Sequence, residues 1–213
     1  HGGSDSDVTR EFDLVAKRFV PPAEGGFERP DAKGTLSWID ADTVFVTTDF
    51  GPDTVSSSGY PLQARRWRRG TPMSEAEIVF QGDPADMQVG TDREHDPGFV
   101  RDWVYQVRDF YDYDLLLLNP DGSLSLIEVP ADCTAVPHRD LLLLTPRTDW
   151  EVDDVLVPAG SLAVARLESF LPGWEGKGPR VRVLFAPSEL TSIADFFVTR
   201  NFIVITAQED VRT

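Results

Sequence analysis

The 213-residue sequence predicts an all-β fold, a partial β-propeller, and three observations carry that prediction. The stretch from Ser37 to Gly82 reads as one four-stranded antiparallel unit: SWID, TVFVTTDF, LQARRWRR and AEIVFQG, joined by DAD, by the long GPDTVSSSGYP loop and by GTPMSE. Short β-branched and aromatic runs punctuated by Gly, Pro, Asp and Ser are what strands and turns require. Units of the same kind recur, and four strands per repeated unit is the propeller pattern. No run of ten or more residues carries a clean apolar stripe of helical period, and the alternating strand–helix pattern of a parallel sheet is absent.

The elements follow in order. VTREFDL, Val8 to Leu14, alternates so that Val8, Arg10, Phe12 and Leu14 share a face. With KRFV it reads as the outer half of a unit, residues 1–20. Pro21 to Gly34 is too rich in Pro and Gly for regular structure. The first complete blade is 35–82 and the second 87–130. The second is built from MQVGTD, FVRDWVYQVRDF, YDLLLLNP and LSLIEVP, with a hairpin turn at NPDGS, Asn119 to Ser123. The third blade, 133–187, runs through CTAVPHR, DLLLLTPR with a short Asp149–Trp150 extension, SLAVARLESFL as a strand with a helical tail, the PGWEGKGP loop and RVRVLFAP. LTSIADFFVTRN and FIVITAQEDV then begin a further unit, 190–213, that stops two strands in. The expectation is a single propeller fragment over 1–213, with three complete four-stranded blades and two half-blades at the termini. Complementary halves at both ends read as a piece cut from a larger ring.

Composition narrows the function classes. The net charge of −16 argues against a nucleic-acid partner, which demands clustered cations. No run of 18 apolar residues exists, so no membrane-spanning helix is expected. The polar N-terminus, HGGSDSDVTREFDL, lacks the basic and apolar regions of a signal peptide. A single cysteine, Cys133, excludes an internal disulfide and fits a reducing, cytoplasmic location. Its setting, VPADCTAVPHR, offers no histidine partner pattern, so it reads as a structural thiol.

Chemistry is sparse. No Gly-x-Ser-x-Gly elbow occurs, and the serines of SSSGY lie in a loop where they serve as polar turn residues. HGGS at the start is similar to the oxyanion-hole sequences of lipases but has neither the preceding strand nor the elbow. Of the three histidines, His1, His95 and His138, none sits in a nucleophile–base setting. Asp92, Glu94, His95 and Asp96 form an acidic turn that reads as solvated and not as a metal site. ARRWRRG, Ala64 to Gly70, resembles a phosphate patch in isolation. On a strand, Arg65, Trp67 and Arg69 face one way and Arg66 and Arg68 the other, and the arginines are expected to pair with acids or lie over apolar neighbours. No catalytic, cofactor-binding or metal-ligating residue is assigned, and no cofactor is expected.

REFDLVAKRFV, GFERPDAKGTLSWIDADTVFVTTDFG and SSGYPLQARRWRRGTPMSEAEIVFQG, continued by DLLLLTPRTDW, PAGSLAVARLESFL and FFVTRNFIVITAQEDVRT, resemble the propeller of the prolyl oligopeptidase family of serine peptidases. The resemblance covers nearly the whole chain. It implies a seven-bladed propeller capping an α/β-hydrolase domain that carries the catalytic Ser, Asp and His, and a propeller that admits short peptides while excluding folded proteins. No position here matches a catalytic motif, so no catalytic residue is carried over. The expected function is a non-catalytic, substrate-gating portion of an endopeptidase that cleaves short peptides. Its expected partners are the parent's hydrolase domain and peptide substrates, with no nucleic acid and no membrane. The alternative is a stand-alone propeller that binds a protein or sugar on one face. Exchange of half-blades between two chains, completing a two-fold ring, is the expected route to a homodimer.

Overall fold

The computed structural model describes residues 5–176 and 180–210. His1 and the HGGS motif lie outside the described residues, as do 177–179 of the PGWEGKGP loop and 211–213 at the end of the last expected strand. The expected all-β class holds: the described residues form antiparallel sheets, with helix confined to three short 3-10 turns. The chain divides into two compact units, His1–His95 with Val100–Leu124, and Asp96–Phe99 with Ser125–Thr213.

The first unit opens with β1 (Asp7–Arg10), β2 (Phe12–Asp13), β3 (Arg18–Phe19) and β4 (Glu28–Ala32). Two expectations are corrected here. VTREFDL is not one strand: β1 pairs with β4, while β2 turns back onto β3. The Pro/Gly-rich stretch expected to lack regular structure supplies β4. ERPDA carries its proline in a two-stranded ribbon, where a missing N–H on the free edge costs no ladder bond. Leu14, expected to follow the strand alternation, lies with its neighbour Val15 at the β2–β3 apex, and the two are 83% and 93% exposed.

Four strands follow: β5 (Thr35–Asp40), β6 (Thr43–Thr47), β7 (Gln63–Arg68) and β8 (Glu77–Gln81). They form a four-stranded sheet in sequence order. The next sheet is a second meander of β9 (Gln88–Glu94), β10 (Arg101–Asp109), β11 (Asp112–Leu118) and β12 (Leu124–Leu126), with the unit boundary falling inside β12 after Leu124. Strand β6 explains the packing. Val44 and Val46 enter one apolar cluster with Phe27 and Trp67, whereas Phe45 enters another with Ala64, Val89 and Val104. A strand buried on both faces needs consecutive apolar residues, which Val44, Phe45 and Val46 supply at its centre.

The second unit contains β13 (Cys133–His138), β14 (Leu141–Pro146), β15 (Trp150–Val152), β16 (Val155–Val157), β17 (Leu162–Arg166) and β18 (Val181–Phe185). The sheet order is β13-β14-β17-β18, and β15 and β16 form an inserted hairpin that the sequence reading treated as a short extension of β14. Its turn is Asp153–Asp154, at φ 49° and 61°. Successive positive-φ residues are what a tight two-residue hairpin demands, and Asp tolerates them. Asp153 also receives Arg180 Nε at 2.9 Å, fastening the hairpin at the start of β18. SLAVARLESFL divides as expected into β17 and a 3-10 turn, Leu167–Phe170. The last elements, β19 (Thr191–Val198) and β20 (Ile203–Glu209), pair only with each other among the described residues.

Candidate functional site

The densest polar arrangement in the first unit is built on β7 and its approach to the 3-10 turn at Met73–Glu75. Trp67 is the anchor. It is 7% exposed, meets Phe27 edge-on with ring centroids 4.9 Å apart, and donates its Nε1–H to Thr71 O at 2.8 Å. That bond satisfies the one polar atom a buried indole carries. With Trp67 fixed, its strand neighbours point to predictable sides.

Arg69 lies just beyond β7 and ties the N-terminal ribbon to the sheet. Its Nη1 and Nη2 donate to Glu11 at 2.8 and 3.1 Å, its Nε to Asp42 at 3.1 Å, and its plane covers the Phe27 ring at 4.6 Å. Hydrogen bonds from Arg69 hold the Glu11 carboxyl below its ordinary range, against the opposing effect of burial. Arg66 pairs with Glu77 at 3.4 Å across β7 and β8. Arg65 lies over the Phe50 ring at 3.8 Å. The expected pairing with acids or apolar surface is therefore what these arginines do.

An open cleft of about 700 Å³ borders this strand, lined by Asp40, Asp42, Arg66, Arg68, Glu75 and Glu77 among others. Carboxylates and guanidinium groups alternate around it, and no imidazole or thiol lines it. Such a surface can hold a charged solute.

Of the remaining sequence candidates, Asp96 and His138 come together, with a carboxylate oxygen and a ring nitrogen within 4.8 Å, and the others disperse. In the SSSGY loop, Ser56 Oγ accepts the Tyr60 N–H at 3.2 Å and Ser58 O accepts Lys33 Nζ at 3.0 Å. His95 Nε2 lies 3.1 Å from Trp38 O. The expected acidic turn is corrected: Asp92 and Glu94 lie on β9, and Glu94 is held by Arg101 at 3.2 Å. Asp96 is held by Arg139 at 2.7 Å, which lowers its pKa. His138 ends β13 and is half-buried. Cys133 is 1% exposed, and burial pushes its thiol up to about 12, so it is protonated and unreactive. The sequence reading missed the Arg93–Asp102 pair, 2.7 Å apart between β9 and β10. Burial raises the Asp102 pKa although Arg93 opposes it. Opposite charges in directly paired strand positions were the available signal.

No family model matches the chain. Two curated relatives align along most of it. An uncharacterized peptidase of Sinorhizobium fredii is 29% identical over 99% of this chain, and an uncharacterized peptidase of Rickettsia prowazekii is 27% identical over 88%. A solved post-proline cleaving enzyme from Rickettsia typhi superposes over 98% of the chain with a TM-score of 0.87 and 23% identity. The chain carries the propeller-region fold of the prolyl oligopeptidase family. Two further structures agree at the level of fold. One is oligopeptidase B from Trypanosoma brucei, with a TM-score of 0.59, 19% identity and 86% of this chain covered. The other is a prolyl endopeptidase with a TM-score of 0.64, 14% identity and 95% covered. This chain spans 29% and 27% of the curated relatives' lengths, and 32%, 24% and 28% of the three solved chains.

Proposed function

We propose that the chain is a non-catalytic propeller portion of a longer prolyl-oligopeptidase-like serine endopeptidase. In this reading the β5–β8, β9–β12 and β13–β18 sheets are complete blades over 35–82, 87–130 and 133–187, and residues 1–20 and 190–213 belong to incomplete ones. The observation that carries the reading is the match of 98% of this chain to only 32% of a post-proline cleaving enzyme. The catalytic serine, aspartate and histidine lie elsewhere in the longer polypeptide, on a hydrolase domain that this portion contacts. Its contribution is steric and electrostatic. A wall of packed sheets excludes bulky polypeptides, admits short peptides and keeps water from the reacting groups. A cytoplasmic location belongs to the same proposal.

The test uses the purified 213-residue chain with a short fluorogenic proline-containing peptide and a serine-directed covalent probe. Neither turnover nor labelling is expected. Saturable cleavage that the probe abolishes contradicts the proposal.

A second reading concerns self-association. The β19–β20 hairpin has no third strand among the described residues and carries Phe197 and Phe202 at 53% and 72% exposure. Such an edge favours pairing between copies through the terminal half-blades. A solution mass of one chain at micromolar concentration contradicts it.

A further inference from the structure

Most arginines of the first unit's sheets are paired with acids; among the described residues Arg10, Arg65 and Arg68 are not, and of these three only Arg65 is half-buried rather than exposed. Arg66, Arg69, Arg93 and Arg108 face carboxylates at 3.4, 2.8, 2.7 and 2.9 Å. Arg65, at the centre of β7, faces none among the described residues. Its Nε and Nη2 both donate to Gln63 Oε1, at 2.9 and 2.7 Å, and its Nη1 donates to Ser74 O at 3.3 Å. All of these acceptors are neutral. In a chain of net charge −16 a half-buried guanidinium left without a carboxylate calls for a reason.

The surroundings are built to hold this group in one orientation. Gln63, 8% exposed, accepts from Arg65 through its oxygen and donates through its Nε2 to Gln81. Gln81 Nε2 in turn donates to Gly82 O at 3.0 Å, so the amide relay is anchored to backbone. The Phe50 ring fixes one face of the guanidinium plane at 3.8 Å. A guanidinium has five N–H donors, about three of which are used here. The two that remain are one on Nη1 and one on Nη2, the atoms that grip a carboxylate with paired hydrogen bonds. Burial lowers the Arg65 pKa with no anionic neighbour to restore it, as expected for a cation whose counter-ion comes from outside.

We infer that Arg65 is an anion receptor whose ligand is a carboxylate brought by another segment or molecule, gripped through Nη1 and Nη2 beside the Phe50 ring. The same chemistry has two sources, the C-terminal carboxylate of a short peptide or an acidic side chain elsewhere in a longer polypeptide.

The experiment records the arginine Nε–H resonances of the intact chain by NMR during titration at constant ionic strength, balanced with chloride. The probes are acetate, N-acetyl-trialanine with a free C-terminus and the same peptide as its amide. A saturable shift confined to the Arg65 signal with acetate and the free acid, and none with the amide, supports the inference and a peptide terminus as the source. A shift with acetate alone supports it with a side-chain carboxylate as the source. Arg65→Lys keeps the charge but loses the paired donors. In that variant, and in Arg65→Gln, acetate should no longer raise the thermal midpoint as it does in the parent chain. Absence of any saturable Arg65 shift, or parallel shifts of every arginine, overturns the inference without bearing on the gating proposal.

Discussion

Strand β6 and the hairpin of β19 and β20 are written in the same residues and have opposite fates. TVFVT in β6 places Val44, Phe45 and Val46 at 0–1% exposure. SIADFFV and IVIT are as apolar, yet Phe197, Phe202 and Val204 are 53%, 72% and 37% exposed. The difference is neighbours. A β-strand buries one face against another layer and its edges against other strands, and a lone two-stranded hairpin does neither. β-propensity describes what a strand is suited to bury, and the surrounding sheet decides whether it does.

That contrast yields predictions of decreasing size. Phe45→Ala removes a ring packed against Ala64, Val89 and Val104, and should cost about 3–5 kcal/mol in urea unfolding. A loss below about 1 kcal/mol would mean that β6 is not sandwiched as described. Next is the tie between the N-terminal ribbon and the sheet. Glu11→Gln leaves Arg69 its Asp42 contact but weakens two charge-assisted bonds, and should cost about 1–3 kcal/mol at neutral pH. The pH dependence has a defined sign. The folded-state pKa of Glu11 is lowered from 4.5, so its contribution is complete above that value and is lost as pH falls through the lowered one. Acid titration of stability should therefore be shallower in Glu11→Gln than in the parent below about pH 4.5, and identical slopes would contradict the assignment.

Cys133 gives a rate and not an energy. With its thiol pushed up to about 12 by burial, iodoacetamide at pH 8 should label the folded chain far more slowly than the urea-unfolded one. Equal rates would place Cys133 at the surface. The smallest effect belongs to the terminal hairpin: Phe197→Ser should change stability by less than about 0.5 kcal/mol. A larger loss would show that the hairpin face is covered in solution.

What was legible in the sequence follows the same division. The strands of the three four-stranded sheets were readable because Gly, Pro and Asn-Pro-Asp-Gly turns punctuate runs such as TVFVTTDF, FVRDWVYQVRDF and DLLLLTPR. The inserted β15–β16 hairpin was hidden because Asp153–Asp154 takes the positive-φ turn positions where Asn-Gly would have announced it. Strand β4 was hidden because Pro30 argues against a strand until the ribbon edge makes it harmless. The pairing of β1 with β4 across the intervening β2–β3 hairpin is a long-range choice, made by Arg29. This fully buried guanidinium bonds Asp7, Thr9 and Ala32, and no local pattern encodes it. The candidate site divides likewise. The arginine run on β7 was visible, but which arginines met an acid depended on neighbours 11 to 58 residues away.

Amide hydrogen exchange, resolved by strand on the intact chain, addresses the central claim most directly. If completed four-stranded sheets carry the stability, amides of β6, β10 and β14 should exchange at least about 100-fold more slowly than those of β19 and β20. Equal protection in the terminal hairpin would contradict it.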